Sequence, residues 1–232
     1  MKCHREAAAR AVSTTGWLAA CTPAFRDWVM ETLIWRDVAE GEAVSHAGDE
    51  DMGLCCIGEG QLVFHIGFAM PDIGAAYVGL PGTWFGHAPL VGLPMVGSTL
   101  ARVDSLVGFV RLRQLRTRLA EHPGDWLQIA LSQSDLFIQA AGAHADLLMP
   151  DNRRRLAATI LRLCGYRHRR YPISPPAAIA ITQEELAGAS AVGRNTAGKY
   201  LREMEEQGLI DWSYAVLRIL DRRRLMAIAD DA

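Results

Sequence analysis

The sequence predicts an α+β protein built in succession from a β jelly roll, one long helix, and a small helical module closed by a hairpin. Three observations carry this. Between about Leu33 and Val110, short apolar runs are punctuated by glycine and proline, the pattern of many short strands. After Pro123 and as far as Met149, apolar and small residues recur in alternating four- and three-residue steps. Residues 181–210, ITQEELAGASAVGRNTAGKYLREMEEQGLI, have the dimensions of two short helices joined by a tight turn. The expected division is 1–122, 123–149 and 150–232.

Composition bounds the possibilities. A chain of 232 residues, half of them hydrophobic, suits two domains with their own cores. No run approaches the roughly 20 apolar residues that span a bilayer, and Met1 to Gly16 lacks the apolar stretch of a secretion signal. Cys3, Cys21, Cys55, Cys56 and Cys164 are odd in number and scattered, which points to reduced thiols and a cytoplasmic chain. Net charge is uneven. Residues 1–150 carry 10 Lys and Arg against 16 Asp and Glu, whereas 151–232 carry 14 against 10. A basic C-terminal third on an acidic body is what a chain with a single phosphate-facing domain would show.

In chain order, residues 1–20 read as a short leading helix or a loose arm. Strands are expected at Leu54 to Ile57, Leu62 to Ile66, Ala75 to Leu80 and Ser105 to Val110, with turns at Gly41-Glu42, Gly48-Asp49 and Gly60. In the long helix, Leu127, Leu131, Ser134, Ile138, Ala141, Ala145 and Leu148 form the seam of a two-stranded coiled coil, so a homodimer is expected. Further apolar positions at Trp126, Ile129 and Phe137 exceed what packing on a single neighbouring domain requires. Met149-Pro150 breaks the helix, and Asp151 is placed to cap the next one, whose inner stripe is Leu156, Ile160 and Leu163. A loop over 166–178, with Pro172, Pro175 and Pro176, leads to the paired helices.

Within that pair, Thr182 and Glu185 have capping-box spacing. Leu186 and Ala187 face inward. A second helix starts near Gly193, with Ala197, Tyr200, Leu201 and Met204 as its inner stripe. Arg194, Asn195, Thr196, Gly198, Lys199 and Arg202 are assigned to the outer side, which in a helix-turn-helix enters the DNA major groove, and Thr182 to the same surface. Double-stranded DNA is therefore the expected partner.

The segment resembles the winged-helix DNA-binding domain of the Crp/Fnr family through Ile181-Thr182, Glu185-Leu186-Ala187, Arg194, Thr196, Leu201, Glu205 and Gly208-Leu209-Ile210. Trp212 to Leu220 is similar to the family's hairpin wing, and Asp221 to Ala229 to its terminal helix. Two departures stand out: Ala191 occupies the turn position where the family has Gly, and Gly193 the cap where it has Ser. The resemblance implies a near-palindromic operator read by a homodimer, with RNA polymerase as a further partner if the chain activates. It also implies that Arg194 reads guanine, with Asn195 and Lys199 replacing the family's Glu and second Arg, so the half-site is related but altered.

Gly41-Glu42, Gly48-Asp49, Gly60, Pro81-Gly82 and Phe85-Gly86 likewise resemble the family's cyclic-nucleotide-binding jelly roll. The resemblance places a ligand pocket at Phe85, Gly86, His87 and Ala88, at Gly97, Ser98 and Thr99, and at Ala140 and Ala141 on the long helix. His87 stands where nucleotide-binding relatives have a ribose-binding Glu, and Gly97 where they have a phosphate-binding Arg. A pocket phosphate without its cation loses a charge-assisted contact, so control by cyclic AMP in the usual way is not expected. No cofactor and no metal is assigned, and the effector is left open. Cys55-Cys56, His46, His65 and His87 make a haem- or small-molecule-binding sensor with weak or lost DNA binding the alternative. No nucleophile–base–acid set, paired ligand motif or phosphate-cradling loop points to an enzyme.

Overall fold

A computed structural model of the chain describes residues 2–66 and 77–230. Ala75 and Ala76, which begin one of the expected runs, lie outside them. The N-terminal arm is helical: α1 (Lys2–Thr14), α2 (Gly16–Ala20) and α3 (Pro23–Thr32). Val12, Trp17, Leu18, Phe25 and Val29 are buried, so these helices close one side of the sandwich rather than trailing free.

The sandwich follows, with β1 (Ile34–Val38), β2 (Ala43–Ser45), β3 (Leu54–Glu59), β4 (Leu62–Ile66), β5 (Tyr77–Gly79), β6 (Trp84–Phe85), β7 (Gly97–Ala101) and β8 (Ser105–Val110). They form two antiparallel four-stranded sheets, in the orders β1-β8-β3-β6 and β2-β7-β4-β5. Gly41, Gly48 and Gly60 take positive φ at the three expected turns. Between the sheets lie Val38, Cys55, Ile57, Leu62, Phe85, Ala101 and Val107, with Phe64 edge-on to Phe85 at 5.0 Å.

Helix α4 (Leu112–Glu121) is a helix the strand pattern did not anticipate. Its Leu112, Leu115 and Leu119 are buried against the N-terminal helices, at the spacing of one helical face. A short 3₁₀ turn leads into α5 (Trp126–Leu147), 22 residues or about 33 Å long at 1.5 Å per residue.

The polarity of α5 is inverted. The face turned to its own chain is mostly polar: Gln128, Ser132, Asp135, Gln139, Gly142 and Asp146, with Ile129. Of the expected seam, Leu131 is half-buried, while Leu127, Ser134, Ile138, Ala141, Ala145 and Leu148 are exposed. Phe137 and Leu148 are each 71% exposed.

Asp151 caps α6 (Asn152–Leu163) by accepting from Arg154 N at 2.7 Å. Then come β9 (Ile179–Ala180), α7 (Gln183–Ala189), α8 (Arg194–Glu206), β10 (Ile210–Ser213), β11 (Val216–Ile219) and α9 (Arg222–Asp230), with strand order β10-β11-β9. Leu156, Ile160, Leu161, Leu186, Leu201, Met204, Leu209, Leu217 and Leu225 form their shared core.

Candidate nucleic-acid interface and sensor pocket

The start of α7 is fixed locally. Thr182 Oγ1 accepts from Glu185 N at 3.2 Å, and Glu185 Oε2 accepts from Thr182 N at 2.7 Å, the complete capping box. Thr182 Oγ1 also donates to Glu185 Oε2 at 2.8 Å, so its hydroxyl serves the cap. The turn after α7 places Ala191 at φ 48°, where a Cβ costs roughly 1 kcal/mol. Ala191→Gly should therefore raise the unfolding free energy by up to about 1 kcal/mol in urea titrations; a loss of stability would show that the Cβ is a useful contact.

Arg155 completes this turn: its Nε donates to Ser190 O at 2.7 Å and its Nη2 to Ala191 O at 3.1 Å. Arg162 Nη2 reaches Ala189 O at 3.4 Å. These guanidiniums satisfy helix-end carbonyls, so part of the positive charge of the C-terminal third is used internally. Arg224, which donates to Gln207 O at 3.1 Å, is another instance.

On α8, Arg194, Asn195, Lys199 and Arg202 are exposed and Thr196 is half-buried. Among the described residues, the side chains of Arg194, Asn195 and Arg202 make no hydrogen bond or ion pair. Lys199 lies 3.7 Å from Glu203. Gly193 caps the helix without a side-chain bond, so no capping side chain occupies its first amides, the groups that bind anions at a helix start.

Gly198 does not belong to this surface. It is buried, and a Cβ there would lie 2.6 Å from Gln183 Nε2, which donates to Arg194 O at 3.0 Å. The glycine lets Gln183 close over α8 and tie the two helices together. A stripe read from side chains misses this, because glycine presents none.

The residues assigned to the sensor pocket do not all face one space. Phe85 is buried between the sheets, and the 3₁₀ turn Ala88–Val91 begins at Ala88. A Cβ at Gly86 would collide with Gly53 O, and one at Gly97 with His65 O, so no larger side chain fits at either position without backbone movement. Ser98 Oγ turns outward to accept from Ala47 N at 3.0 Å, whereas Thr99 is buried with its hydroxyl unpartnered. Ala140 and Ala141 are exposed on the outer face of α5; Asp135 and Gln139 are the residues of this stretch that face the jelly roll.

His87 Nε2 and Ser132 Oγ are 2.9 Å apart. Burial lowers the ring's pKa from 6.5 to about 4, so the folded chain holds it neutral. Its contribution to stability is complete above about pH 6.5 and is lost as pH falls toward about 4. Urea unfolding at about pH 7.5 and about pH 5 should show a loss larger by about 1–2 kcal/mol in the parent than in His87→Gln; equal losses would place the titration elsewhere.

Cys55 and Cys56 point to opposite faces of β3, into different cores. Burial pushes both thiols up, and those of Cys21 and Cys164 to about 12. Among the described residues, no group of three or more His, Cys, Asp or Glu could hold a metal ion, and His46 and His65 are exposed. No helix of the described residues is long and apolar enough to cross a membrane.

Comparison with known proteins follows the same division. Residues 154–228 match the model of the Crp-like helix-turn-helix domain. The chain is 28% identical over 230 residues to the HTH-type transcriptional regulator Cmr of Mycobacterium tuberculosis (strain CDC 1551 / Oshkosh), covering 94% of this chain and 89% of that protein. The fold is shared with a CRP-family transcriptional regulator from Thermus thermophilus, at 23% identity, TM-score 0.62, and coverage of 84% of this chain and 96% of that one. It is also shared with FixK2 from Bradyrhizobium japonicum, at 15% identity, TM-score 0.67, and coverage of 86% and 98%. The chain thus carries a Crp-like helix-turn-helix domain on the Crp/Fnr fold, and over nearly its whole length it is similar to the transcriptional regulator Cmr.

Proposed function

We propose that the chain is a homodimeric, sequence-specific DNA-binding regulator whose α8 enters the major groove. The observation that carries this is the outward set Arg194, Asn195, Lys199 and Arg202 on a helix whose opposite face is fully packed. Thr196 and the uncapped amides of α8 are placed for phosphate oxygens. Thr182 lies at the same end of the module and contributes its position, since its hydroxyl is held by Glu185.

The homodimer reading rests on the inverted polarity of α5. A helix that buries its polar face and exposes Leu127, Ile138 and Leu148 has an apolar seam lacking its counterpart. A second copy pairing through this seam would set two α8 helices about a two-fold axis, matching half-sites about 34–36 Å apart.

Selection of bound duplexes from a random pool tests this reading. Enrichment of an inverted repeat supports it. Recovery of unenriched DNA, with binding that depends only on salt, would reduce the chain to a nonspecific binder.

A further inference from the structure

The hairpin of β10 and β11 is firmly mounted and ends in a side chain that the fold does not use. Ser213 pairs with Val216, so the connection is the two-residue turn Tyr214-Ala215. Both residues take positive φ, 49° and 60°, in a kind of turn that favours Asn or Gly at these places. A Cβ is disfavoured there, and for a residue as bulky as tyrosine the conformation is an outlier. Tyr214 is 100% exposed, and among the described residues its hydroxyl makes no hydrogen bond. No packing offsets the strained backbone, and outliers of this kind cluster where function needs them.

The tip is fixed relative to α8. Trp212 N donates to Glu205 Oε1 of α8 at 3.3 Å. Leu217, paired with Trp212, is fully buried, and β11 pairs with β9 on its other side. At the turn itself, Ala215 O accepts from Ile181 N at 2.8 Å. The next two residues are Thr182, which caps α7, and Gln183, whose Nε2 donates to Arg194 O at 3.0 Å. Tyr214 is thus carried at the same edge of the module as Arg194 and the start of α7.

Chemistry decides which part of a duplex the tip suits. A tip built for phosphate would carry cations. Ser213, Tyr214 and Ala215 carry no charge, and Arg218, the one cation of the two strands, is paired with Asp211 at 2.9 Å. Small neighbours on either side leave the tyrosine ring clear to enter a cleft. The minor groove is such a cleft, about 6 Å wide. At A·T pairs its floor offers acceptors to a phenolic hydroxyl, whereas the amino group of guanine obstructs that floor.

We propose that Tyr214 enters the minor groove flanking each half-site and adds a preference there for A·T over G·C pairs, outside the base pairs read by α8. This rests on the DNA-binding reading above. With α8 in the major groove, the start of α7 lies against the adjoining sugar-phosphate backbone and the wing tip against the groove beyond it. The stiff two-residue turn presents the ring at a fixed place before DNA arrives, which limits the ordering left for binding.

The test measures affinity by fluorescence polarization on duplexes selected by the full chain, with the flanking pairs as A·T, G·C or inosine·cytosine. Inosine lacks the amino group that guanine shows in the minor groove and presents the same major-groove edge. The parent should bind the G·C-flanked duplex roughly 5- to 30-fold more weakly than the A·T-flanked one, and inosine·cytosine should restore most of the loss. Tyr214→Asn puts a residue suited to the turn at its tip, so its urea midpoint should match or exceed the parent's. It should bind all three duplexes alike, at about the parent's level on the G·C flank. A parent indifferent to the flanks, or a Tyr214→Asn variant that keeps the preference, overturns the groove contact; if Arg194→Ala still abolishes specific binding, the DNA-binding reading stands without it. An equal loss on operator and scrambled duplexes in Tyr214→Asn would make the tip a phosphate contact and overturn it too. If Arg194→Ala has no effect on binding, the DNA-binding reading itself fails and the groove contact falls with it.

Discussion

Arg194→Ala should abolish preference for the operator while leaving salt-sensitive, sequence-independent binding. Arg194 stands in the first turn of α8, exposed, and its side chain makes no hydrogen bond or ion pair among the described residues. A bidentate arginine–guanine contact contributes about 1–3 kcal/mol of discrimination per half-site. Two half-sites double this, so specific affinity should fall by at least about 30-fold, from the low end of that range. Fluorescence polarization against operator and scrambled duplexes at several salt concentrations separates the two components. Equal loss on both duplexes would make Arg194 a phosphate contact, and no loss would remove α8 from the interface.

Ile138→Asp should separate the dimer into folded monomers. Ile138 is 38% exposed within one chain, on the outer face of α5, so the carboxylate remains in water in the monomer. In the paired seam two such groups would be buried near the axis, each at a cost of several kcal/mol. The dimer dissociation constant should weaken by at least about 100-fold, or about 2.7 kcal/mol. Light scattering would then show a particle of 25.4 kDa rather than one of twice that mass. Operator affinity should fall with it, because each monomer grips only one half-site. A variant that stays dimeric would move the interface off this face.

The parts of this molecule readable in advance are those specified by residues near each other in the chain. The capping box at Thr182 and Glu185, the cap at Asp151 and the turn glycines Gly41, Gly48 and Gly60 each act within three or four residues, and all appear as expected. The seam of α5 is a local repeat as well. Its polar inner face was not readable, because Asp135 and Asp146 take partners from a loop some 20 to 35 residues onward. Charge counting is blind to such partners for the same reason. Arg155, Arg162 and Arg167 contribute to a basic total, but their guanidiniums are directed at carbonyls and at Asp146. Helix α4 did leave a signal, since Leu112, Leu115 and Leu119 repeat at helical spacing; the surrounding strand pattern masked it. In the pocket, Ser98 and Thr99 are adjacent on one strand and therefore face opposite ways, which alternation alone predicts.

That two copies of α8 read one near-palindromic site is tested most directly by native mass spectrometry with hydroxyl-radical footprinting on a selected duplex. The expected result is two chains per duplex, protecting two inverted half-sites whose centres lie about 10–10.5 base pairs apart. One chain per duplex with a single protected half-site, or two chains on a direct repeat, would contradict it.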